Sequence, residues 1–123
     1  MTQPLALVYY ERLMPGSQLV NRLQDLKYRV LAVNNIALLA ATARRELPLL
    51  LITDLAARGE VPAAIEKIKT DPATSHLPII AFAPDNKPEL LRAAQKAGAN
   101  LTIGETALAS HLPQLLDQAM HVD

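Results

Sequence analysis

One carboxylate stands out because of where it falls in the chain. Asp54 ends an apolar run, 49–53, that reads Leu-Leu-Leu-Ile-Thr. A run without a polar alternate face predicts a strand covered on both sides, as in a parallel sheet. Open α/β sheets place ligands and chemistry at the carboxyl ends of such strands. Asp54 is therefore the first candidate functional residue, and its role depends on which groups join it.

Other arrangements of chemically active residues are absent from the sequence. The chain has no cysteine, which excludes disulfides, thiolate metal sites and cysteine nucleophiles. His76, His111 and His121 do not have the spacing of metal ligands, and we interpret them as surface residues. The four glycines lie in separate turns and form no phosphate-binding motif. No Ser-His-Asp constellation can be argued, so we do not expect an enzyme.

The composition describes one small globular domain, which we expect to span residues 1–123. Half of the residues are apolar and the mean hydropathy is only +0.13. No apolar run approaches a membrane span, and residues 1–4 do not resemble a signal peptide, so we expect a cytoplasmic protein. Twelve basic residues balance twelve acidic ones and only four aromatic residues are present. This balance argues against a nucleic-acid surface.

Periodicity predicts five strands that alternate with five helices. Apolar runs predict strands over residues 5–10, 28–33, 49–54, 78–83 and 101–103, and stripes at helical spacing predict helices over 19–26, 36–47, 61–68, 90–97 and 108–119. This βα repeat predicts a doubly wound parallel sheet with helices on both faces.

The predicted helix ends have recognisable signals. Ser17 is a candidate N-cap after a loop over 11–16, and the pairs at 34–35 and 85–86 offer caps for later helices. Pro48 and the Asp71-Pro72 pair end two helices, and Gly98 follows a third where a left-handed residue is favoured.

Three stretches carry a resemblance to a known family. They are Pro48-Leu-Leu-Leu-Ile-Thr-Asp54, residues 71–80 (Asp-Pro-Ala-Thr-Ser-His-Leu-Pro-Ile-Ile) and residues 93–100 (Ala-Ala-Gln-Lys-Ala-Gly-Ala-Asn). In this order they resemble the CheY-like receiver domain of bacterial two-component response regulators, over essentially the whole chain. The resemblance implies the flavodoxin-like fold with strand order 2-1-3-4-5, and it identifies Asp54 with the phosphoacceptor.

The resemblance also implies positions for the other groups that phosphoryl transfer needs, and most of them have changed. The acidic pair that binds Mg²⁺ aligns with Tyr9 and Tyr10, although Glu11 follows, and neutral phenols are poor magnesium ligands. The signalling hydroxyl aligns with Ala83 and the lysine with Glu105. A carboxylate there would repel a phosphoryl group instead of stabilising it.

A fifth position also departs from the family. Thr102 replaces the aromatic switch residue of the fifth strand. Together these changes predict an atypical receiver, or pseudo-receiver, without a cofactor. It would act as a protein-interaction module in two-component-type signalling, with a signalling protein, a histidine kinase or an output domain as partner.

Two other functions stay open at this point. The first is a working phosphorelay receiver that accepts a phosphoryl group on Asp54 through a Mg²⁺ site that uses Glu11. The second is a small-molecule sensor whose cleft is lined by Tyr9, Tyr10 and Asp54. The alternative for Asp54 itself is a structural one, in which it caps the following turn or pairs with Arg58.

The remaining expectations concern individual side chains and surfaces. The tyrosines would pack their rings and leave their hydroxyls in water. Glu105 would either pair with Arg58 or Arg12 or remain solvated. The fourth helix, fifth strand and fifth helix, lined by Gln95, Thr102 and Leu108, would form the partner surface, and homodimerisation through it is a further expectation.

Overall fold

The computed structural model describes residues 4–10, 13–56 and 60–120, and in this part of the chain it contains one five-stranded parallel sheet. The strands are β1 (Leu5–Tyr9), β2 (Arg29–Val33), β3 (Leu50–Asp54), β4 (Ile79–Ala83) and β5 (Leu101–Gly104). Their order across the sheet is β2-β1-β3-β4-β5. This arrangement confirms the predicted doubly wound fold, and each observed strand matches a predicted one to within one residue at either end.

Helices cover both faces of the sheet. They are α1 (Leu13–Asp25), α2 (Ile36–Glu46), α3 (Val61–Thr70), α4 (Pro88–Ala97), α5 (Glu105–Ser110) and α6 (Leu112–Met120). One apolar core lies between the sheet and α2, α3 and α4, and it contains Leu39, Ile65 and Ala94. The second lies under α1, α5 and α6 and contains Leu23 and Leu116. The central strands β3 and β4 are buried along their whole length, as an apolar run without a polar face requires.

The first helix begins earlier than the sequence predicts. The sequence predicts a loop over residues 11–16 and an N-cap at Ser17, but α1 starts at Leu13 and contains Pro15 and Gly16 in its first turn. Residues 11 and 12 lie outside the described part of the chain. Proline is tolerated in a first turn because the first backbone N–H groups of a helix have no acceptor within the helix. The Pro-Gly pair therefore lies inside the helix and does not mark a loop.

The last predicted helix is divided into two. The predicted helix over 108–119 corresponds to α5 and α6, which meet at His111. Pro113 has no N–H to donate to the carbonyl of Ala109, four residues earlier, so a continuous helix would lose a bond here. The apolar stripe remains intact across the break, since Leu108, Leu112 and the later members of the stripe are all buried.

Three of the remaining helix ends fit the predictions, and one does not. The side chain of Asn35 accepts a hydrogen bond from the backbone of Ala37, and Gly98 ends α4 with φ of 113°. Asp71 is the C-cap of α3. The residue before α4 is Lys87, whose side chain makes no capping bond, so the predicted cap at 85–86 is wrong.

One member of a predicted apolar stripe is not in the core. Leu47 was expected to continue the buried face of the second helix, but 62% of it is exposed. It is the C-cap of α2 and adopts a left-handed conformation, with φ of 46°. Because Pro48 disfavours a helical residue before it, the chain leaves the helix at Leu47 and turns its side chain away from the core.

Candidate functional site

The carboxyl ends of the strands meet at one edge of the sheet and bring the predicted site residues together. Parallel register pairs Tyr9 with Thr53 and Asp54 with Phe82. At the next position along, Ala83 pairs with Gly104, the residue before Glu105. The edge therefore assembles side chains that are as much as 96 positions apart, as the resemblance to receiver domains implies.

Asp54 is completely buried at this edge. Its Oδ1 atom accepts a hydrogen bond of 2.9 Å from the backbone N–H of Ala56, which is an Asx turn. The next residue, Leu55, donates its own N–H to the carbonyl of Phe82 at 2.8 Å, so the chain stays attached to β4 as it leaves β3. This hydrogen bond is the one expected if Asp54 has a structural role and caps the turn that follows it. Arg58, the other suggested partner, lies outside the described residues.

Tyr9 does not lie at a solvent-exposed edge of the sheet. It is completely buried, and it belongs to the core between the sheet and α2, α3 and α4. The expectation that its hydroxyl is in water is therefore wrong. A strand-end side chain becomes a core side chain here because β1 is flanked on both sides, by β2 and β3, and is covered by helices.

Tyr10 points to the opposite face of the sheet, as alternation along a strand requires. It is partly buried and packs against the core beneath α1, α5 and α6. Its ring lies over Gly16, where a Cβ atom would overlap the ring carbons. Gly16 was predicted to lie in a loop, whereas the contact with Tyr10 explains why a residue without a side chain stands in α1.

The positions that carry the hydroxyl and the aromatic switch in receivers have different chemistry here. Ala83 is completely buried and supplies only a methyl group. Thr102 is partly buried and its Oγ1 atom accepts a hydrogen bond of 2.9 Å from Nε2 of Gln95. This bond fixes the face of β5 to α4.

A contact between the loop after β4 and the first turn of α5 was not predicted from the sequence. The Oγ1 atom of Thr106 donates a short hydrogen bond to Oδ2 of Asp85, which joins the loop after β4 to the start of α5. The Asp85 carboxylate also lies over Gly104 and fills the space in which a Cβ atom would stand. The signal in the sequence was the threonine at position 106, where receiver domains have proline, but it does not identify a partner 21 residues away.

Glu105 opens α5 and is partly buried. It lines a cavity of about 320 Å³ between α1 and α5, together with Arg22, Phe82 and Leu108. Of the partners suggested from sequence, Arg12 and Arg58 both lie outside the described residues. A second carboxylate, Asp85, thus lies near the strand end where receiver domains have a lysine after β5.

The described residues do not fit a magnesium ion. No group of three or more His, Asp or Glu side chains among residues 4–10, 13–56 and 60–120 is placed to hold a metal. Tyr9 is buried in the core, and the ring of Tyr10 packs over Gly16. Glu11, the acidic residue suggested as an alternative ligand, lies outside the described part of the chain. We therefore derive no step through a metal.

The small-molecule cleft suggested by the sequence is not formed by the residues proposed for it. Tyr9 and Asp54 are completely buried, so neither can line a cleft that is open to solvent. The cavity at Glu105 is lined by different side chains. In the described ranges, no helix is long and apolar enough to cross a membrane.

Comparisons with known proteins agree with this fold. No model of a protein family matches the sequence, and no curated protein does. Among solved structures, a chain from Chloroflexus aurantiacus J-10-fl assigned provisionally as a response regulator superposes with a TM-score of 0.90 at 18% identity, covering 98% of this chain and 100% of that one.

Two further solved structures are similar. The chemotaxis response regulator CheY4 of Vibrio cholerae superposes with a TM-score of 0.83 at 16% identity, over 96% of this chain and 99% of that one. The receiver domain of NtrX from Brucella abortus superposes with a TM-score of 0.82 at 18% identity, over 96% of this chain and 99% of that one. The chain therefore has the fold of a receiver domain over nearly its whole length.

Proposed function

We propose that this protein is a degenerate receiver domain that works in two-component-type signal transduction by binding a protein partner. In this proposal it is not an enzyme, and it is not switched by Mg²⁺-dependent phosphorylation. The observation that carries the proposal is the environment of Asp54. The carboxylate is buried and bonded to its own turn, and Tyr9, which pairs with the preceding residue Thr53, belongs to the core.

Phosphoryl transfer to an aspartate needs positive charge around the transferred group. The reaction relies on metal ions and cationic side chains to neutralise the oxygens in the transition state. Here the residues at the ends of β4 and β5 are Ala83, Asp85 and Glu105, and among them only the carboxylates are charged. An incoming phosphoryl group would meet repulsion where receivers supply attraction.

Two side-chain hydrogen bonds near the site also support a domain that keeps one conformation. Thr106 holds Asp85 across the site, and Gln95 holds Thr102 on the outer strand. A phosphate-driven switch needs an element with two arrangements of similar free energy. These two side-chain bonds favour one arrangement without a ligand.

For the partner surface we propose the face formed by α4, β5 and α5, which supplies the exposed Gln95 and the partly buried Thr102. Leu108 does not belong to it, because this side chain is buried in the core beneath α1, α5 and α6, and the sequence-based assignment of Leu108 to this surface is wrong. A signalling protein, a kinase or an output domain remains the proposed class of partner. Homodimerisation through this face stays a prediction.

A second candidate function is a working phosphorelay receiver. It is favoured by one observation, the position of Asp54 at the carboxyl end of the central strand β3, between β1 and β4. In that case Glu11 would have to complete a metal site.

The two functions are distinguished by an amide NMR titration with Mg²⁺ and then with beryllofluoride, which mimics a phosphoryl group. We expect no saturable shifts centred on Asp54, Ala83 and Thr102. Saturable shifts in the wild type that are absent in Asp54→Asn would establish the phosphorelay function and overturn the proposal.

The partner surface needs its own experiment. A protein captured from the source cell by the wild type and by Asp54→Asn, and lost with the exposed substitution Gln95→Arg, would support the proposed face. Equal capture by all three variants would exclude it.

A further inference from the structure

We infer that the cavity between α1 and α5 binds a small amphipathic anion, a molecule with an apolar body and one carboxylate group. The cavity measures about 320 Å³ and lies on the face of the sheet that α1, α5 and α6 cover. It is not the cleft of Tyr9 and Asp54 suggested from the sequence, since neither residue lines it. The inference does not depend on the proposed function.

The buried part of the cavity wall is apolar. It is formed by four side chains from α1, β4, α5 and α6, each at most 6% exposed: Leu19, Phe82, Leu108 and Leu112. None of these side chains has a hydrogen-bonding atom. An apolar chain or ring placed against them would leave water, with a gain in free energy that is proportional to the apolar area buried.

The exposed part of the wall is polar and comes largely from one side of α1. Gln18, Asn21 and Arg22 line the cavity and are exposed, and their spacing of three and four residues places them on the same face of the helix. The guanidinium of Arg22 makes no hydrogen bond or ion pair with any residue that the structure describes. Its donors are therefore available to a molecule in the cavity.

Charge complementarity selects an anion as this molecule. Among the described residues, the cavity has one other charged side chain, that of Glu105 on the α5 wall. Glu105 already has an interaction within its own chain, so the charge that remains available is that of Arg22. A guanidinium presents paired N–H donors that match the two oxygens of a carboxylate, and such charged bonds are stronger than neutral ones. We expect the carboxylate of the ligand beside α1 and away from Glu105.

The volume of the cavity limits the size of the ligand. Sites for small molecules measure about 300–1,000 Å³, so this cavity is near the lower end of the range. A single short chain or one ring can enter it. A helix of a protein partner, which is about 10–12 Å across with its side chains, cannot.

Binding in this cavity should also change the environment of the candidate site. Phe82 lines the cavity and is the register partner of Asp54, and its carbonyl accepts the N–H of Leu55 at 2.8 Å. A ligand that packs against Phe82 therefore lies one strand away from the Asx turn of Asp54. The amide of Leu55 reports on binding from beside the site, and the amides of Leu19 and Leu108 report from the cavity wall.

The first test is an amide NMR titration with hexanoate, a short carboxylate with an apolar chain. Hexanol and hexylamine, which keep the chain and change the polar group, are titrated alongside it. We expect saturable shifts from hexanoate at Leu19, Phe82, Leu108 and Leu55, with a Kd of about 1 mM. Hexanol should bind about tenfold more weakly because it lacks the charge, and hexylamine should bind no better than hexanol.

Three variants separate the roles of charge and volume. Arg22→Gln should weaken hexanoate about tenfold and leave hexanol unchanged, because only the carboxylate uses the guanidinium. Ala109→Phe adds a large side chain at an exposed position that lines the cavity and should weaken both probes. Arg44→Gln is the matched control, since this arginine lies on α2 outside the cavity with its side chain 70% exposed, and it should change neither. Circular dichroism checks that each variant is folded.

Several results would overturn the inference. They are the absence of saturable shifts from hexanoate, equal affinities for hexanoate and hexanol, and equal effects of Arg22→Gln and Arg44→Gln on hexanoate binding. Shifts at the same amides that follow protein concentration without any probe would show that a second copy covers the cavity, and would overturn it too. The titration with Mg²⁺ and beryllofluoride tests the proposed function separately, so either proposal can fail alone.

Discussion

At the scale of single residues, the carboxylate of Asp54 is held by the backbone two positions later, and this bond makes a prediction about stability. Asp54→Asn keeps an oxygen that can accept the N–H of Ala56 and should change the free energy of unfolding little. Asp54→Ala leaves that N–H without its acceptor and should cost about 1–2 kcal/mol. Urea denaturation followed by circular dichroism measures both. Equal losses in the two variants would show that the charge of Asp54, and not the Asx turn, matters for stability.

A second prediction concerns the neighbouring residue, which carries a buried hydroxyl. Thr53 is completely buried, and its Oγ1 atom has no hydrogen-bond partner among the described residues. Thr74 is also buried, but its Oγ1 atom donates a hydrogen bond of 2.7 Å to the carbonyl of Ile68. The two threonines therefore form a matched pair for the same substitution.

Replacing each threonine by valine should have opposite effects. Thr53→Val removes a buried hydroxyl that gains nothing from folding and should stabilise the protein by about 1 kcal/mol. Thr74→Val breaks a buried bond and should destabilise it by about 1–2 kcal/mol. Thermal and urea unfolding report the difference. Destabilisation by Thr53→Val would mean that its hydroxyl is bonded in solution, for example to a buried water.

At the scale of elements, one lysine joins three parts of the fold. Nζ of Lys69, on α3, donates hydrogen bonds to the carbonyl of Leu77 at 2.8 Å and to Oδ1 of Asn100 at 3.0 Å. Oδ1 of Asn100 also accepts the N–H of Ile79 at 2.9 Å. These bonds fix α3 to the segments that lead into β4 and β5.

Burial lowers the pKa of Lys69 below its ordinary value of 10.5, because desolvation disfavours the charged amine. Between the lowered pKa of the folded state and 10.5, the unfolded chain holds a proton that the folded protein has released. The free energy of unfolding contributed by this group therefore rises with pH in that interval. The neutral amine still has two N–H groups for its two acceptors.

The variant Lys69→Met isolates this effect. As pH rises towards 10.5, the wild type should gain stability relative to the variant, measured by urea denaturation at a series of pH values. Other lysines and tyrosines titrate in both proteins and cancel in the comparison. Curves that stay parallel through this interval would show that Lys69 has the same pKa in the folded and unfolded states.

At the scale of the whole molecule, the absence of a fitted metal site in the described residues predicts how stability responds to Mg²⁺. A ligand that binds only the folded state at about 100 times its Kd raises the free energy of unfolding by about 2.7 kcal/mol. We expect no such gain from millimolar MgCl₂, beyond the effect of NaCl at the same ionic strength. Scanning calorimetry measures the Tm in both salts. A rise of several degrees specific to Mg²⁺, lost in Asp54→Asn, would contradict the proposed function.

The architecture could be predicted from the sequence alone. Buried parallel strands need continuous apolar runs, and the helices that cover them need apolar stripes at helical spacing. Each pattern lies within one short segment of the sequence and can be recognised there. For this reason the run that ends at Asp54 and the stripe through Ile65 and Ile68 predicted their elements correctly. The changed residue types at Ala83 and Glu105 could also be read directly, because each position is recognised by its place at the end of a strand or directly after it.

The contacts that these residues make could not be predicted in the same way, because they depend on the assembled fold. Burial of Tyr9 depends on strands and helices from other parts of the chain, and the bond between Asp85 and Thr106 joins residues 21 positions apart. The starts of β1, β3 and β4 lie side by side only because these strands pair in parallel. Sequence patterns report what each segment needs from its surroundings, whereas the contacts that meet those needs are non-local and appear only when the sheet is assembled.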